Sequence, residues 1–292
     1  PERHAIRLIN PINEDLSLMR TTLAPQMIHA IARNQKNGCL EGRVYEIGNK
    51  FIPKDLPLTE YPDERETICI GIWGKEENFF TLKGLVDTVA ETLFIEFEYV
   101  EDKKTFLHPY RTAKILFNGE EIGYLGQLTY EIQKEEDMRE SAYIAEIDLK
   151  ALRPVYGKVP TFAPISKFAK ETRDLALVMN KSVTCGEVEK AIAEASSFVE
   201  SVELFDVYEG LQVGPEKKSM AFTVTFAPKE EEFTTEAVDG YVKKILKNRF
   251  KSFSCLEMSG LSAFFSSTLI HIGGKSTHTE NQINALLGRI LS

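Results

Sequence analysis

The sequence predicts an α+β protein built from two domains. Segments in which apolar and polar residues alternate, typical of strands, are interleaved with segments of helical spacing. The dipeptide Asn118-Gly119 stands between two strand segments and is the sequence signature of a two-residue hairpin. A stretch with three prolines and one glycine, residues 153–166, interrupts this pattern and predicts the boundary between the domains.

The first predicted domain covers residues 1–157 and opens with a helix. Apolar residues recur at helical spacing after Pro25, which is tolerated in a first helical turn, and Gly38 is placed to end the helix. A second helix is predicted over residues 79–94. Its apolar side chains fall on one broad face: Phe80, Leu82, Leu85, Val86, Val89 and Leu93. Strands are predicted over residues 42–53, 66–74, 113–128 (a hairpin) and 142–152.

The second predicted domain covers residues 161–258 and has the order β-α-β-β-α-β of a ferredoxin-like fold. Its first helix begins with Thr184 and carries Glu187 three residues later, which is the capping-box pattern. The elements are predicted over residues 173–180, 184–196, 199–210, 217–228, 234–250 and 253–258. Residues 259–292 are rich in serine and threonine, match neither domain in composition, and are left without an assigned structure.

The composition argues against several classes of protein. A net charge of -9 on 292 residues provides no overall basic field, so any RNA contact has to come from a local patch or a partner. The cysteines form no CxxC pair, which argues against a zinc site and favours reduced thiols in the cytoplasm: Cys39, Cys69, Cys185 and Cys255. No apolar run approaches the ~20 residues of a membrane span. The chain begins at Pro1 without a methionine, which predicts a fragment or a processed product.

The five histidines show no metal-site or catalytic spacing. His29 lies in the first predicted helix, and His108 stands before a proline at a predicted turn. Because a site needs a matched set of residue types, both are predicted to be structural.

Several motifs, taken together and in order, resemble those of one known family. They run from about Ile9 to Phe253 and include NPINEDLSLMRTTLAP, RVYEIGNKF, FFTLKGLVDTVAETL, FLHPYRTAKILFNGEEIGYLGQL, ISKFAKETRDLALVMNKSVTCGEV, VESVELFDVYEG and KKSMAFTVTF. On these motifs the chain resembles the C-terminal part of the bacterial phenylalanyl-tRNA synthetase beta subunit.

The resemblance implies a class II synthetase-like antiparallel sheet for the first domain and a ferredoxin-fold anticodon-binding domain for the second. It implies a cytoplasmic alpha-beta heterotetramer that uses ATP and magnesium, with the chemistry on the alpha subunit. The expected partners are that alpha subunit and phenylalanine tRNA, and no membrane is involved. The alternative is a stand-alone RNA-binding or interaction module that retains a degenerate synthetase fold.

The first domain lacks the phosphate-handling side chains that such an active site needs. The phosphate charge that develops when an adenylate forms is neutralised by arginine guanidinium groups and by a metal. Ile52 and Pro53 stand where the second class II motif would place an arginine, and no arginine follows the glycines of the third-motif-like segment until Arg139. We therefore assign no catalytic residue, no metal and no cofactor to this chain. Arg20 and Glu46 are assigned a structural or interface role.

RNA contacts are predicted for the second domain. On its third strand the bulky residues should face the helices: Met220, Phe222, Val224 and Phe226. The small residues between them should face outward, which favours phosphate contacts at the rim over base stacking on the sheet. The predicted RNA-binding residues are Arg173, Lys217, Lys218, Tyr208, Lys243 and Lys247. For the lysines of the last helix, a solvated face is the alternative. Tyr208 is preferred over Phe205 because the two are predicted on opposite faces and its hydroxyl tolerates a wet edge.

Overall fold

The computed structural model describes residues 5–14, 17–157, 159, 167–210, 213–228 and 232–248, without the side chains of Thr235, Lys247 and Asn248. The predicted strand over residues 253–258 and the segment 259–292 lie outside the described residues. The chain divides into two compact units, Pro1–Phe162 and Ala163–Ser292, and the division falls inside the proline-rich stretch.

In its described part, the first unit consists of six strands and three helices. The helices are α1 (Ala24–Lys36), α2 (Phe79–Thr92) and α3 (Tyr130–Glu135). The strands are β1 (Gly42–Ile52), β2 (Asp63–Trp73), β3 (Glu98–Glu101), β4 (Leu107–Phe117), β5 (Glu120–Leu128) and β6 (Ala142–Asp148). The predicted helices and strands of this unit are confirmed, while β3 and α3 are additional elements that the sequence pattern does not reveal.

The proline-rich stretch begins inside a 3₁₀ turn, Lys150–Val155, which includes Pro154. The stretch that predicts the domain boundary therefore starts with a short helical turn that contains one of its prolines. The turn tolerates this proline because its backbone hydrogen bonds are donated by the N–H groups of Leu152 and Tyr156. These bonds do not use the N–H group that Pro154 lacks.

The six strands form one antiparallel sheet in the order β1-β2-β6-β5-β4-β3. The connection between β4 and β5 is the predicted hairpin. Asn118 and Gly119 both have positive φ, 52° and 80°, as the favoured two-residue hairpin turn requires. Sheet order places β2 and β6 in the interior, so that their side chains are covered on both faces.

One helix covers each face of this sheet. Alternation along β2 directs Cys69 and Trp73 towards α1, while Ile70 and Ile72 belong to the core under α2. The α2 core is confirmed for Leu82 and Val86, which are fully buried. Phe80, however, is 77% exposed, so its predicted place on the buried face of α2 is wrong. It is the second residue of α2, in the first turn, where its backbone N–H donates to the side chain of the N-cap residue Asn78.

The second unit contains β7 (Glu171–Asn180), α4 (Cys185–Ala193), β8 (Val199–Tyr208), β9 (Lys217–Phe226) and α5 (Thr235–Asn248). Its described strands form an antiparallel sheet in the order β7-β9-β8. The predicted capping box is confirmed: Thr184 and Glu187 satisfy each other's backbone N–H groups at the start of α4. The described part thus has the order β-α-β-β-α.

The core of the second unit lies between its sheet and its helices. Four side chains of β9 alternate into it, as predicted: Met220, Phe222, Val224 and Phe226. Val238 and Ile245 of α5 and Val188 and Ile192 of α4 complete it from the helix side. The opposite face of the sheet, which we call the open face, carries the residues of β9 that lie between these four.

In the described residues, no helix combines the length and the apolar character needed to cross a membrane.

Candidate functional site

A buried glutamate organises the sheet face beneath α1. Glu146 lies on β6 directly opposite Cys69 of β2, and its side chain is only 4% exposed. One carboxylate oxygen accepts hydrogen bonds from the hydroxyl of Thr22 (2.6 Å) and from the backbone N–H of Leu23 (2.9 Å). The other lies 3.3 Å from the ammonium of Lys50. The carboxylate therefore ties the start of α1 to the centre of the sheet.

Arg20 pins the segment before α1 to the edge strand β1. Its guanidinium forms an ion pair with Glu46, and its Nε donates to the backbone carbonyl of Asn49 at 2.9 Å. The backbone of Arg20 also accepts a hydrogen bond from the N–H of Phe51 (2.8 Å). Gly48 has no side chain, and a Cβ there would collide with the guanidinium. Arg20 and Glu46 are therefore placed as mutual partners, and their contact with another subunit stays a prediction.

The nearby Cys69 and Tyr124 are held in their neutral forms. Burial, together with the negative charges of Glu146 and Glu46, raises the pKa of the Cys69 thiol. Burial and the charge of Glu146 likewise raise the pKa of the Tyr124 hydroxyl. Because the thiolate is the nucleophilic form of cysteine, Cys69 is an inert core residue.

On this face the cations are matched by carboxylates of the same chain. Arg20 is paired with Glu46, Lys50 with Glu146, and Lys54 in the loop after β1 with Glu60 at 3.0 Å. Ile52 ends β1 and Pro53 follows it, so no guanidinium stands at that point. Arg139 lies in the loop between α3 and β6, where it lines a cavity rather than this cluster. These pairings stabilise the fold and use the positive charges of Arg20, Lys50 and Lys54 within the chain.

Glu146 is the residue that sequence reasoning misses in this unit. Its signal is an acidic residue between the apolar Ala145 and Ile147 of β6, a strand whose seven residues are all buried. Within the part of the chain that the structure describes, no group of three or more histidine, cysteine, aspartate or glutamate residues could hold a metal ion.

The open face of the second unit carries Tyr208 and Lys217 at one end. Tyr208 lies opposite Ser219 of β9, in the row that points away from the helices, and it is 44% exposed. Its ring covers Gly210, where any Cβ would collide with it. Lys217 precedes Ser219 by two residues and therefore shares the open face. The structure thus brings two of the six predicted RNA-binding residues onto one end of one surface.

Carboxylates occupy the middle of the open face. Asp174 of β7 and Glu203 of β8 both pair with Thr223 of β9, and Asp206 pairs with the neighbouring Ala221. The hydroxyl of Thr223 donates to Asp174 at 2.8 Å. Sequence reasoning misses this set, because the three acids are far apart in the chain and only strand pairing brings them together. Negative charge here opposes a phosphate and offers acceptors to hydrogen-bond donors.

The alternation of the sequence predicts that Phe205 and Tyr208 lie on opposite faces of β8. The structure does not keep a regular alternation at Phe205. A β-bulge between Leu204 and Asp206 shifts the register of β8 at Phe205. Both aromatic side chains are exposed as a result, Phe205 to 59% and Tyr208 to 44%. Exposure therefore does not distinguish the two rings, and the preference for Tyr208 stays a prediction.

Two predicted contact residues lie on the helix side of the sheet. Arg173 alternates with Leu175 on β7 and pairs with Glu171 (3.0 Å) and with Asp239 of α5 (3.6 Å). Lys218 opens β9 next to Lys217, but on the opposite face, rather than in the hairpin loop. The pKa of the Glu187 carboxyl is lowered by its hydrogen bonds to Thr184 and, to a lesser degree, by Lys218, which places that lysine near the start of α4.

Helix α5 carries Lys243 and Lys244, both exposed. It also contains Lys247, whose side chain lies outside the described residues. The RNA contacts of these lysines, of Arg173 and of Lys218 stay predictions.

Comparison with known proteins covers both units. Residues 1–149 match the family model described as the phenylalanyl tRNA synthetase beta chain CLM domain. Residues 166–255 match the ferredoxin-fold anticodon binding domain. The resemblance found in the motifs is thereby confirmed.

Curated relatives include three bacterial phenylalanine–tRNA ligase beta subunits. That of Bacillus subtilis is 34% identical over 249 residues, which cover 81% of this chain and 31% of the relative. That of Clostridium acetobutylicum is 32% identical over 248 residues, covering 84% and 31%. That of Geobacillus kaustophilus is 32% identical over 263 residues, covering 86% and 33%. The chain spans about a third of the length of these relatives. Since the first family model matches half of the chain, this chain belongs to the phenylalanyl-tRNA synthetase beta chain family, and its second unit is a ferredoxin-fold anticodon-binding domain.

Proposed function

We propose that this chain is the beta-subunit part of a phenylalanine-tRNA ligase, which scaffolds the catalytic alpha subunit and binds phenylalanine tRNA without catalysing a reaction by itself. Its first unit is a class II synthetase-like sheet kept for assembly in a cytoplasmic heterotetramer. ATP and magnesium are used by the full enzyme and are not bound by this chain. The proposal that this chain does not catalyse a reaction by itself is supported by the pairing of charges on the sheet face around Glu146. The cations of this face are neutralised internally by Glu46 and Glu146, whereas adenylate formation needs cationic groups free to meet developing phosphate charge.

Co-purification with the alpha subunit tests this function. We expect the chain to form a stoichiometric complex with a phenylalanine–tRNA ligase alpha subunit, because the proposed role is assembly. We expect the chain alone to give no phenylalanine-dependent pyrophosphate exchange, because the positive charges of Arg20 and Lys50 on its sheet face are used within the chain. Exchange by the isolated chain would contradict the non-catalytic role. A chain that binds tRNA but leaves the alpha subunit free would favour the stand-alone RNA-binding module instead.

For tRNA, the open face favours contact with bases over contact with phosphates. Asp174, Glu203 and Asp206 oppose the phosphate backbone along the middle of the sheet. Their oxygens accept hydrogen bonds from the amino and imino groups of bases. Tyr208 provides an exposed ring at the end of the same face, where Lys217 provides the positive charge. The structure therefore supports base contacts as well as the rim contacts that the sequence predicts.

Reversing the charge of the two neighbouring lysines separately tests this orientation. Charge reversal of both together should weaken tRNA binding and flatten its dependence on salt, since fewer counterions are released. We expect Lys217→Glu to account for most of this loss, because Lys217 shares the open face with Tyr208. We expect Lys218→Glu, its matched control on the helix side, to change tRNA affinity much less. Filter binding of phenylalanine tRNA between about 50 and 200 mM salt measures both effects.

Equal losses of tRNA affinity in Lys217→Glu and Lys218→Glu would show that binding does not depend on which face of β9 carries the lysine. An unchanged affinity and salt slope in the double variant would remove both lysines from it.

A further inference from the structure

A cavity of about 430 Å³ lies in the first unit, apart from the Glu146 cluster. It is open to solvent on one side and is lined by the end of β5, by α3 and by the loop that leads from α3 to β6. His108 of β4 closes one side. Its volume is within the range of small-molecule sites. Neither the synthetase scaffold role nor the open face of the second unit accounts for it.

The side-chain amide of Gln127, which lines this cavity, is held in one orientation by two hydrogen bonds. The side chain is only 8% exposed, and its oxygen accepts a hydrogen bond from Arg111 at 2.7 Å. That bond orients the amide, so that the nitrogen points to the other side and donates to the hydroxyl of Ser141 at 3.4 Å. An amide nitrogen carries two hydrogens. One hydrogen of Gln127, and the hydroxyl hydrogen of Ser141, are therefore available to donate to a ligand.

His108 adds a further donor to the same wall. Its Nδ1 accepts a hydrogen bond from the backbone N–H of Tyr110 at 3.2 Å. In the neutral ring the proton then resides on Nε2, which is left to donate. The prediction that His108 lies at a turn is wrong, because this residue lies within β4. Its side chain lines the cavity. Gln127, Ser141 and His108 therefore each bring a hydrogen-bond donor to the lining of the cavity.

The charged residues of the lining are balanced. Lys134 and Arg139 contribute two positive charges, and Asp137 and Glu140 contribute two negative charges. The lining therefore offers cations and neutral donors to an anionic group, and carboxylate oxygens to hydroxyl donors. At the rim, Tyr130 presents a ring that is 72% exposed and able to stack on a flat heterocycle.

We propose that this cavity binds a ribonucleotide unit. The phosphate is held by Lys134, Arg139 and the donors around Gln127. The ribose hydroxyls donate to Asp137 and Glu140, and the base stacks on Tyr130. The same unit can come from a free mononucleotide or from a single-stranded RNA segment. This site does not depend on tRNA binding by the second unit. An experiment can therefore reject one of the two proposals and leave the other standing.

Photolabelling of the full chain with 8-azido-adenosine monophosphate tests the location of the site. We expect saturable labelling of peptides within residues 108–141, suppressed by excess AMP if the ligand is free nucleotide. Suppression by a six-nucleotide single-stranded oligo(A) RNA at a much lower concentration than AMP requires would identify an RNA segment as the source. Labelling that neither competitor suppresses, or that maps only outside these residues, would overturn the proposal.

Calorimetric titration of the full chain with the competitor that suppresses labelling tests the contacts. Tyr130→Ala should weaken binding about tenfold, which is the scale of one lost stacking contact. Arg139→Ala should weaken it by a similar factor through the phosphate. Tyr61→Ala, at a tyrosine that is 94% exposed elsewhere in this unit, is the matched control and should leave affinity unchanged. Because Tyr130 and Arg139 are exposed, both variants should keep the thermal stability of the parent chain, and equal affinities for the Tyr130 and Tyr61 variants would contradict the site.

Discussion

Replacing Glu146 with alanine should destabilise the first unit by about 3–5 kcal/mol, the range for removing one partner of a buried ion pair. The substitution leaves Lys50, whose side chain is only 14% exposed, without its counter-charge. It also removes the acceptor from the hydroxyl of Thr22 and from the N–H of Leu23. Hydrogen-exchange mass spectrometry in increasing denaturant measures the change, with the largest acceleration expected in peptides of α1, β2 and β6.

Two further variants keep this result interpretable. Glu146→Gln retains an oxygen that can accept from Thr22 or Leu23, so it should cost less than the alanine variant. Glu66→Ala is the control on the neighbouring strand β2, because Glu66 makes an exposed ion pair with Arg153 at 3.6 Å. Loss of such a pair costs about 0.2–1 kcal/mol. If the alanine variants at Glu146 and Glu66 lowered the free energy of unfolding equally, the central role of Glu146 would be excluded.

Phe222→Ala should destabilise the second unit by about 3–5 kcal/mol, as expected for deleting a fully buried aromatic ring. Phe222 lies at the centre of β9, between Leu175 of β7 and Leu204 of β8, and contacts the core that α4 and α5 cover. We expect faster hydrogen exchange throughout β7, β8 and β9, and a loss of tRNA binding that follows from unfolding of the sheet.

Thr223→Ala is the matched control for this prediction. Thr223 is the next residue of β9 but faces the open side, where its hydroxyl donates to Asp174. Its replacement should cost no more than about 1 kcal/mol, the typical value of one exposed hydrogen bond. Similar exchange rates in the two variants would contradict the assignment of faces on β9. If the first unit kept its exchange rates in both variants, the effect would be confined to the second unit.

Features that depend on neighbouring residues were predictable from the sequence. The Asn118-Gly119 hairpin needs only two residues that tolerate positive φ. The capping box at Thr184 and Glu187 closes within one helical turn. The alternation of Phe222 and Val224 predicts their burial, because a strand repeats every two residues.

Features that depend on distant residues were not predictable in the same way. Thr22 and Glu146 are 124 positions apart, and their hydrogen bond exists only because α1 packs on β6. The bulge at Phe205 breaks the period of two without leaving a proline or glycine in the strand to mark it.

The sequence by itself determined the α+β class, most of the longer helices and strands, and the family to which the chain belongs, since these are written in local patterns and in ordered motifs. Only the tertiary structure decided which charged residues are brought together. Coulombic attraction and hydrogen bonding act over a few ångströms, regardless of how many residues separate the partners along the chain. Folding brings Arg20 to Glu46 and Lys50 to Glu146, and gathers Asp174, Glu203 and Asp206 on the open face. Arg20 and Lys50 are thereby neutralised within the first unit, and the open face of the second unit carries a cluster of negative charge.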